Sequence, residues 1–145
     1  MHSILKEIIS LFQQYEKIHI QTFFVPVQLI VHADREELKR ALMNILRNAV
    51  QAMNEEGTIR LTTSSEDHHV VIRITDSGPG IPDAILSRLF EPNFSTKTEG
   101  MGLGLAIVKK TIDDLKGAIT IESVLGQGTA VIIKLPVQRE NRNDS

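Results

Sequence analysis

Apolar residues recur every three or four positions in three stretches of the chain, as they do along one face of an amphipathic helix. In the middle stretch, Asn44, Asn48 and Gln51 form a polar stripe along one border of the apolar face. Asp34 precedes this stretch and is a good N-cap residue. The predicted helices cover about 4–16, 35–53 and 103–116.

Between these helices, apolar and polar residues alternate in short runs that are typical of half-buried strands. Pro26 separates the first two runs, which we predict to form an antiparallel pair. Turns at 65–68 and 125–128 join the later runs as hairpins. Helices that alternate with antiparallel strand pairs favour an α+β fold, a two-layer α/β sandwich. The predicted strands cover about 18–24, 28–32, 58–64, 69–75, 118–124 and 129–135, with a short helix at 83–89.

The length of 145 residues favours one domain, which we predict over 1–137, followed by a polar tail at 138–145 that we expect to be disordered. The chain has no cysteine, so disulfides, thiolate metal sites and a cysteine nucleophile are excluded. The five histidines show no metal-binding spacing.

The net charge of -2 does not provide the positive field that drives non-specific nucleic-acid binding. No apolar run approaches the ~20 residues of a membrane span, and no secretory segment opens the sequence. We therefore expect a cytoplasmic domain that neither binds nucleic acid nor inserts into a membrane.

The glycines are unevenly distributed, because all nine lie from Gly57 onward and seven fall in three clusters. In the first cluster, Asp76 follows a predicted strand and is itself followed by Gly78 and Gly80. Such a loop lets the backbone approach a flat ligand while the carboxylate accepts a hydrogen bond from an exocyclic amine. The same pattern is also typical of an Asx turn that ends a strand.

The second cluster, residues 100–105 (GMGLGL), opens the last predicted helix. The free N–H groups and the positive end of a helix suit an anion, and glycines allow it a close approach. The spacing is neither that of the mononucleotide loop nor that of the dinucleotide loop, so a phosphate site here implies another fold family. A flexible glycine hinge is the alternative.

Asn44 and Asn48 lie one helical turn apart beside the apolar stripe. Carboxamide oxygens are suitable Mg²⁺ ligands, with phosphates and waters completing the octahedron. The alternative is a helix face that hydrogen-bonds a neighbouring loop.

In order and spacing, these segments resemble the catalytic and ATP-binding domain of two-component sensor histidine kinases, within the gyrase, Hsp90, histidine kinase and MutL ATPase superfamily. The resemblance covers residues 4–136. Five segments carry it: an asparagine box at 44–49 (NILRNA), a first glycine box at 76–80 (DSGPG), a phenylalanine box at 90–94 (FEPNF), a second glycine box at 100–105 and a third at 126–129 (GQGT).

The resemblance implies the superfamily's Bergerat-type sandwich, a mixed and mostly antiparallel sheet with helices on one face, which binds Mg-ATP. Asp76 would accept from the adenine amino group with Thr129 nearby, Asn48 would ligate Mg²⁺, and 92–101 would be the ATP lid. Many relatives carry a lysine at the position of Gln51, which weighs against a direct phosphate contact here. The implied ATP-binding residues are Asn48, Gln51, Asp76, Gly78, Gly80, Ile81, Phe90, Gly100, Gly102, Leu103, Gly104, Leu105 and Thr129.

The implied catalytic residues are Asn48, Asn44 and Lys97. Of these, Asn44 occupies the position that distinguishes kinases from hydrolases. Gyrase-like hydrolases carry a glutamate four residues before the magnesium asparagine as a general base, whereas Asn44 takes no proton at neutral pH. Transfer of the ATP γ-phosphate to a protein nucleophile is therefore favoured over hydrolysis. The resemblance implies that this nucleophile is a histidine and that Lys97 lies near the γ-phosphate.

The family's phosphoacceptor histidine lies in a helical hairpin that has no counterpart in these 145 residues. We therefore expect an excised catalytic domain, or one that acts on a separate protein, with that hairpin as its partner and, indirectly, a response regulator. The alternatives are a serine kinase of the anti-sigma-factor type and a nucleotide-sensing module without catalysis.

Overall fold

The computed structural model describes residues 2–24, 35–91 and 101–136. Several predicted features lie outside these residues: the strand at 28–32, the N-cap Asp34, most of the lid at 92–101 with Lys97 and Gly100, and the tail at 138–145.

The described residues form four helices and five strands. In chain order they are α1 (His2–Phe12), β1 (Ile18–Phe23), α2 (Arg35–Ala52), β2 (Gly57–Glu66), β3 (His69–Asp76), α3 (Asp83–Leu86), α4 (Met101–Asp114), β4 (Ala118–Val124) and β5 (Gly128–Pro136).

The strands form one mixed sheet in the order β1-β2-β3-β5-β4. Strand β1 pairs in parallel with β2, with Ile18 opposite Gly57, and the remaining pairs are antiparallel. A parallel pair needs a crossover connection, which α2 provides between β1 and β2. The predicted antiparallel partner of β1, at 28–32, lies outside the described residues.

One face of the sheet is covered by helices. Along β3, for example, Val70, Ile72 and Ile74 are buried while Arg73 between them is exposed, so the two faces differ in polarity. The buried face packs against apolar residues of α1, α2 and α4 in a single hydrophobic core. The expected two-layer α/β sandwich, a mostly antiparallel sheet with helices on one face, is confirmed.

Several element boundaries differ from the prediction. Helix α3 ends at Leu86 rather than at residue 89, and α4 covers Met101–Asp114 rather than 103–116. Helix α1 ends at Phe12 rather than near residue 16. Tyr15 follows in a turn, and its ring stacks on that of Phe12 with 5.8 Å between the ring centres, so Tyr15 packs on the core without being helical. The turn between β2 and β3 is shorter than predicted: only Asp67 and His68 form it, with φ values of 50° and 65°. Positive φ at both central residues is typical of the tightest hairpin turn, which extends the paired strands.

Candidate functional site

A cleft opens between α2, the first turns of α4 and the ends of strands β3, β4 and β5. It contains about 520 Å³ of empty space, which includes solvent at its open mouth. Its walls are mostly apolar, with a few polar groups among them. The lining residues are Ile45, Asn48, Ala49, Ala52, Ile74, Asp76, Gly80, Ile81, Leu105, Ile121, Thr129 and Val131.

Helix α2 contributes one wall through Ile45, Asn48, Ala49 and Ala52. These positions follow the i, i+3, i+4 and i+7 spacing, so they lie on one helix face. Ile45 and Ala49 also belong to the hydrophobic core, which fixes the wall. Asn48 is the polar member of this face and sits at the border between core and cleft.

The side-chain nitrogen of Asn48, Nδ2, is buried and has no hydrogen-bond partner among the described residues. A buried polar atom without a partner is uncommon and costs free energy, so it points to a group that the site accommodates. The oxygen and nitrogen of a carboxamide exchange places when the side chain turns over. Asn48 can therefore offer the cleft either a donor or an acceptor.

Asp76 ends β3 and lies at the opposite side of the cleft. Its Oδ1 accepts a hydrogen bond from the backbone N–H of Gly78 at 2.8 Å, and the carboxylate also accepts one from the backbone of Thr129. Burial raises the pKa of Asp76 above its ordinary value of 3.8, and the two backbone donors oppose that effect. The carboxylate is thus fixed in direction but poorly solvated, which favours a ligand that donates to it.

The loop after Asp76 packs against the hairpin between β4 and β5. The backbone N–H of Gly126 donates to the carbonyl of Pro79 at 2.7 Å. Gly80 has a φ of +82°, and a Cβ built on it would lie 2.4 Å from the carbonyl oxygen of Val124. Only glycine accepts both that φ and that backbone contact without strain.

The cleft brings together six of the residues that the sequence singled out. Asp76 and Thr129 stand opposite each other across the β3–β5 pair, and Leu105 projects from the second turn of α4. The six are Asn48, Asp76, Gly80, Ile81, Leu105 and Thr129.

Four other predicted residues, whose burial the structure describes, do not line the cleft. Asn44 lines a separate groove on α2 with Arg40 and Arg47, and Gln51 is exposed. Gly78 acts through its hydrogen bond to Asp76, and Phe90 is half-buried against the core with Lys109 Nζ 6.0 Å from its ring centre. Gly102, Leu103 and Gly104 lie in the first turn of α4, beside Leu105.

Sequence reasoning predicted Ile81 and Leu105 but missed the apolar residues that the sheet contributes to the cleft, although the sequence contained a signal for them. Ile74 lies two residues before Asp76, and Val131 lies two residues after Thr129. Residues two apart on a strand lie on the same face of the sheet. If Asp76 and Thr129 face the cleft, Ile74 and Val131 must therefore face it too. Ile121 faces Val131 across the β4–β5 pair.

The residues present fit a hard cation at the α2 side of the cleft. Asn48 offers a carboxamide oxygen to such a cation, whereas its unpartnered Nδ2 is a donor that calls for an acceptor such as a phosphate or water oxygen. Mg²⁺ is commonly held by one or two protein oxygens, with phosphates and waters as the other ligands. No cluster of three or more histidine or carboxylate ligands occurs in the described residues, so no all-protein metal site is found there.

This fold and cleft match a known class of proteins. Residues 33–139 match the family model described as histidine kinase-, DNA gyrase B-, and HSP90-like ATPase. The match takes in more than half of the chain, and the chain belongs to this family.

Particular relatives narrow the class. Sporulation kinase B of Bacillus subtilis (strain 168) is 33% identical over 140 residues, which are 94% of this chain and 32% of that protein. The solved catalytic domain of histidine kinase ThkA is 33% identical with a TM-score of 0.85, over 94% of this chain and 91% of that one. Full-length ShkA in complex with AMPPNP is 31% identical with a TM-score of 0.83, over 95% of this chain and 30% of that one.

ThkA has also been solved in complex with the response regulator protein TrrA, at 30% identity and a TM-score of 0.80, over 95% of this chain and 40% of that one. The chain spans about a third or less of the length of the curated relatives that it matches first. The resemblance to histidine kinase catalytic domains that the sequence motifs indicated is confirmed. In the described residues, no helix is both long and apolar enough to cross a membrane.

Proposed function

We propose that this domain binds Mg-ATP in the cleft and transfers the γ-phosphate to a histidine on a separate helical-hairpin domain, in two-component signal transduction. The observation that carries the proposal is the pairing of a half-buried, directed carboxylate, Asp76, with the unpartnered carboxamide of Asn48 across one apolar cleft. Family membership and the ShkA complex with AMPPNP, an analogue of ATP, support it.

The adenine would lie between the apolar walls with its amino group towards Asp76. Ile45 and Ala49 on one side, and Ile74 and Val131 on the other, give a flat base apolar surface on both faces. An exocyclic amine donates to the carboxylate, which already accepts from two backbone N–H groups. The amine would thus add a third donor to a poorly solvated carboxylate, which gives the site both affinity and orientation.

The phosphates would extend from the base towards Asn48 and the start of α4. The helix begins at Met101 and passes through Gly102 and Gly104, so its first N–H groups are free for an anion. The Asn48 carboxamide would hold Mg²⁺, which, when bound, neutralises charge on the phosphate oxygens. Lys97 and Gly100 lie outside the described residues and stay predictions.

The proposed reaction moves a phosphoryl group from ATP to an imidazole nitrogen and leaves ADP. Such transfers ask the protein mainly for positioning and charge neutralisation. The described residues that line the cleft include no glutamate, histidine or lysine that could activate a water molecule. Asn44, four residues before Asn48, does not accept a proton at neutral pH, which supports transfer over hydrolysis.

A transfer assay tests this proposal. The chain is incubated with γ-labelled ATP, Mg²⁺ and its cognate histidine-containing hairpin domain, and the labelled product is treated with acid and with alkali. We expect label on the hairpin that acid removes and alkali does not. Asn48→Ala should lower the transfer rate by about tenfold or more, because an interaction made with the phosphates is lost.

Gln14→Ala, which removes an exposed carboxamide after α1, is the matched control and should leave the rate unchanged. An acid-stable phosphoserine product would contradict the proposal and favour the serine kinase. Tight ATP binding without transfer to any partner would favour the nucleotide-sensing module.

A further inference from the structure

Ser123, which the sequence analysis did not single out, joins three parts of the cleft through one hydroxyl group. It lies on β4, where its Oγ is 2.8 Å from the backbone nitrogen of Ile81 and 2.9 Å from the carbonyl oxygen of Gly128. The same Oγ is 2.9 Å from the hydroxyl oxygen of Thr129. Ile81 and Thr129 both line the cleft, whereas Ser123 lies beside Thr129 on the neighbouring strand and, with Asp76 and Thr129, lines an adjoining cavity.

The number of hydrogens available fixes the direction of these bonds. A serine hydroxyl has one hydrogen to donate and two lone pairs to accept with. The Ile81 N–H is a donor and uses one lone pair, and the Gly128 carbonyl is an acceptor and takes the hydrogen. The remaining lone pair of Ser123 therefore accepts from Thr129, whose hydroxyl hydrogen points away from the cleft.

This arrangement leaves Thr129 with its lone pairs towards the cleft, beside the Asp76 carboxylate. The backbones of the two residues are paired across β3 and β5, and both side chains line the cleft. Both groups then act as acceptors at the same place. A ligand that donates hydrogen bonds there is favoured. A ligand that presents a carbonyl oxygen is disfavoured, because acceptor atoms would then face each other without a hydrogen between them.

Ser123 also holds the loop that shapes the base pocket. Its bond to Ile81 is a second hydrogen bond between this loop and the β4–β5 hairpin, besides the bond from Gly126 to Pro79. Without the hydroxyl, the Ile81 N–H would lose its partner at the wall of the cleft. The serine thus links the position of the loop to the orientation of Thr129.

We propose that Ser123 is a positioning residue that makes the cleft select a purine with an amino group over one with a carbonyl group at the same position. It does so by holding the Thr129 hydroxyl as an acceptor and by fixing Ile81. This inference rests on the proposed function, because it concerns the base that the same cleft binds.

ATP and inosine triphosphate test the inference. The purine carbon that carries the exocyclic amine in ATP carries a carbonyl oxygen in inosine triphosphate. Calorimetry measures the affinity of the 145-residue chain and its Ser123→Ala variant for each nucleotide in the presence of Mg²⁺. Ser123→Ala should weaken ATP binding by about tenfold and inosine triphosphate binding much less. The ratio of the affinity for ATP to the affinity for inosine triphosphate should therefore decrease. Ser123→Thr, which keeps the hydroxyl, should restore most of the preference.

Ser64→Ala removes an exposed hydroxyl on β2 and should change neither affinity. Urea unfolding of each variant establishes that it is folded. Equal loss of both affinities in Ser123→Ala, or a preference unchanged from that of the original chain, would overturn the inference while leaving ATP binding intact. If the original chain itself fails to bind ATP, the proposed function fails, and the inference fails with it.

Discussion

At the scale of single residues, Asp76 shows how the fold prepares a group for a ligand. The carboxylate lies at the end of a buried strand, where burial raises its pKa, while the backbone N–H groups of Gly78 and Thr129 oppose the shift. Its ionised form is therefore less favourable in the folded domain than in the unfolded chain. A donor from a ligand relieves part of that disadvantage.

The raised pKa of Asp76 predicts how stability depends on pH. The folded domain keeps the proton to a higher pH than the unfolded chain, so this group's contribution to stability falls as the pH rises from 3.8 through the folded pKa and then levels off. Asp76→Asn removes the titration. The unfolding free energy of the variant minus that of the original should therefore increase with pH across this window.

Urea unfolding at a series of pH values from about 4 to 8 measures this difference. A difference that stays constant over the range, or that decreases as the pH rises, would contradict the assigned environment of Asp76.

At the scale of elements, the site depends on the contact between the loop after β3 and the β4–β5 hairpin. Gly80 and Gly126 offer a matched pair of positions, since their φ values are +82° and +81°. A Cβ at Gly80 would meet the Val124 carbonyl oxygen at 2.4 Å, whereas one at Gly126 would meet nothing within 4 Å. Alanine at either position would have a strained positive φ, but only alanine at Gly80 would also clash with the hairpin. A comparison of the two substitutions therefore distinguishes backbone strain from close packing.

Gly80→Ala should therefore lower the unfolding free energy by more than Gly126→Ala, which carries only the strain of a left-handed alanine, about 1 kcal/mol. It should also weaken ATP binding, because the loop that carries Ile81 is pushed away from the hairpin. Urea unfolding and ATP titration of both variants measure these effects. Equal losses in the two variants would show that the close approach of loop and hairpin has no role.

Much of the fold followed from the sequence because periodicity reports which face of an element is buried. Helix α2 and the strands β3, β4 and β5 were predicted in this way, to within a few residues. Periodicity does not report strand partners, so the parallel pairing of β1 with β2 was not predicted. The extent of α1 was wrong because Tyr15 packs on the core from a turn.

The candidate site was predictable where residue chemistry and spacing were distinctive. Asp76 and Asn48 followed from their positions at a strand end and on a polar helix border, and the structure brings both to one cleft. The contribution of Ser123 was not predictable, because it depends on three groups that only the folded hairpin brings within 3 Å. A serine inside a strand carries no such signal by itself.

At the scale of the whole molecule, cleft and core share their walls. Ile45 and Ala49 of α2, and Ile74 and Val131 of the sheet, belong to both. The cleft is therefore the open margin of the space between the helical layer and the sheet, and its shape is set by the packing of the entire domain. Such a site is largely preformed, so a ligand loses little affinity to reorganisation of the protein.

The binding of ATP at Asp76 tests the account most directly. Calorimetric titration with ATP and Mg²⁺ is carried out on the original chain, on Asp76→Asn, and on Asp67→Asn, which makes the same charge change in the exposed turn at the far end of β3. The account predicts equal affinity for the original and Asp67→Asn, and an affinity at least about tenfold weaker for Asp76→Asn. An Asp76→Asn variant that is folded and binds ATP as tightly as the original chain would contradict it.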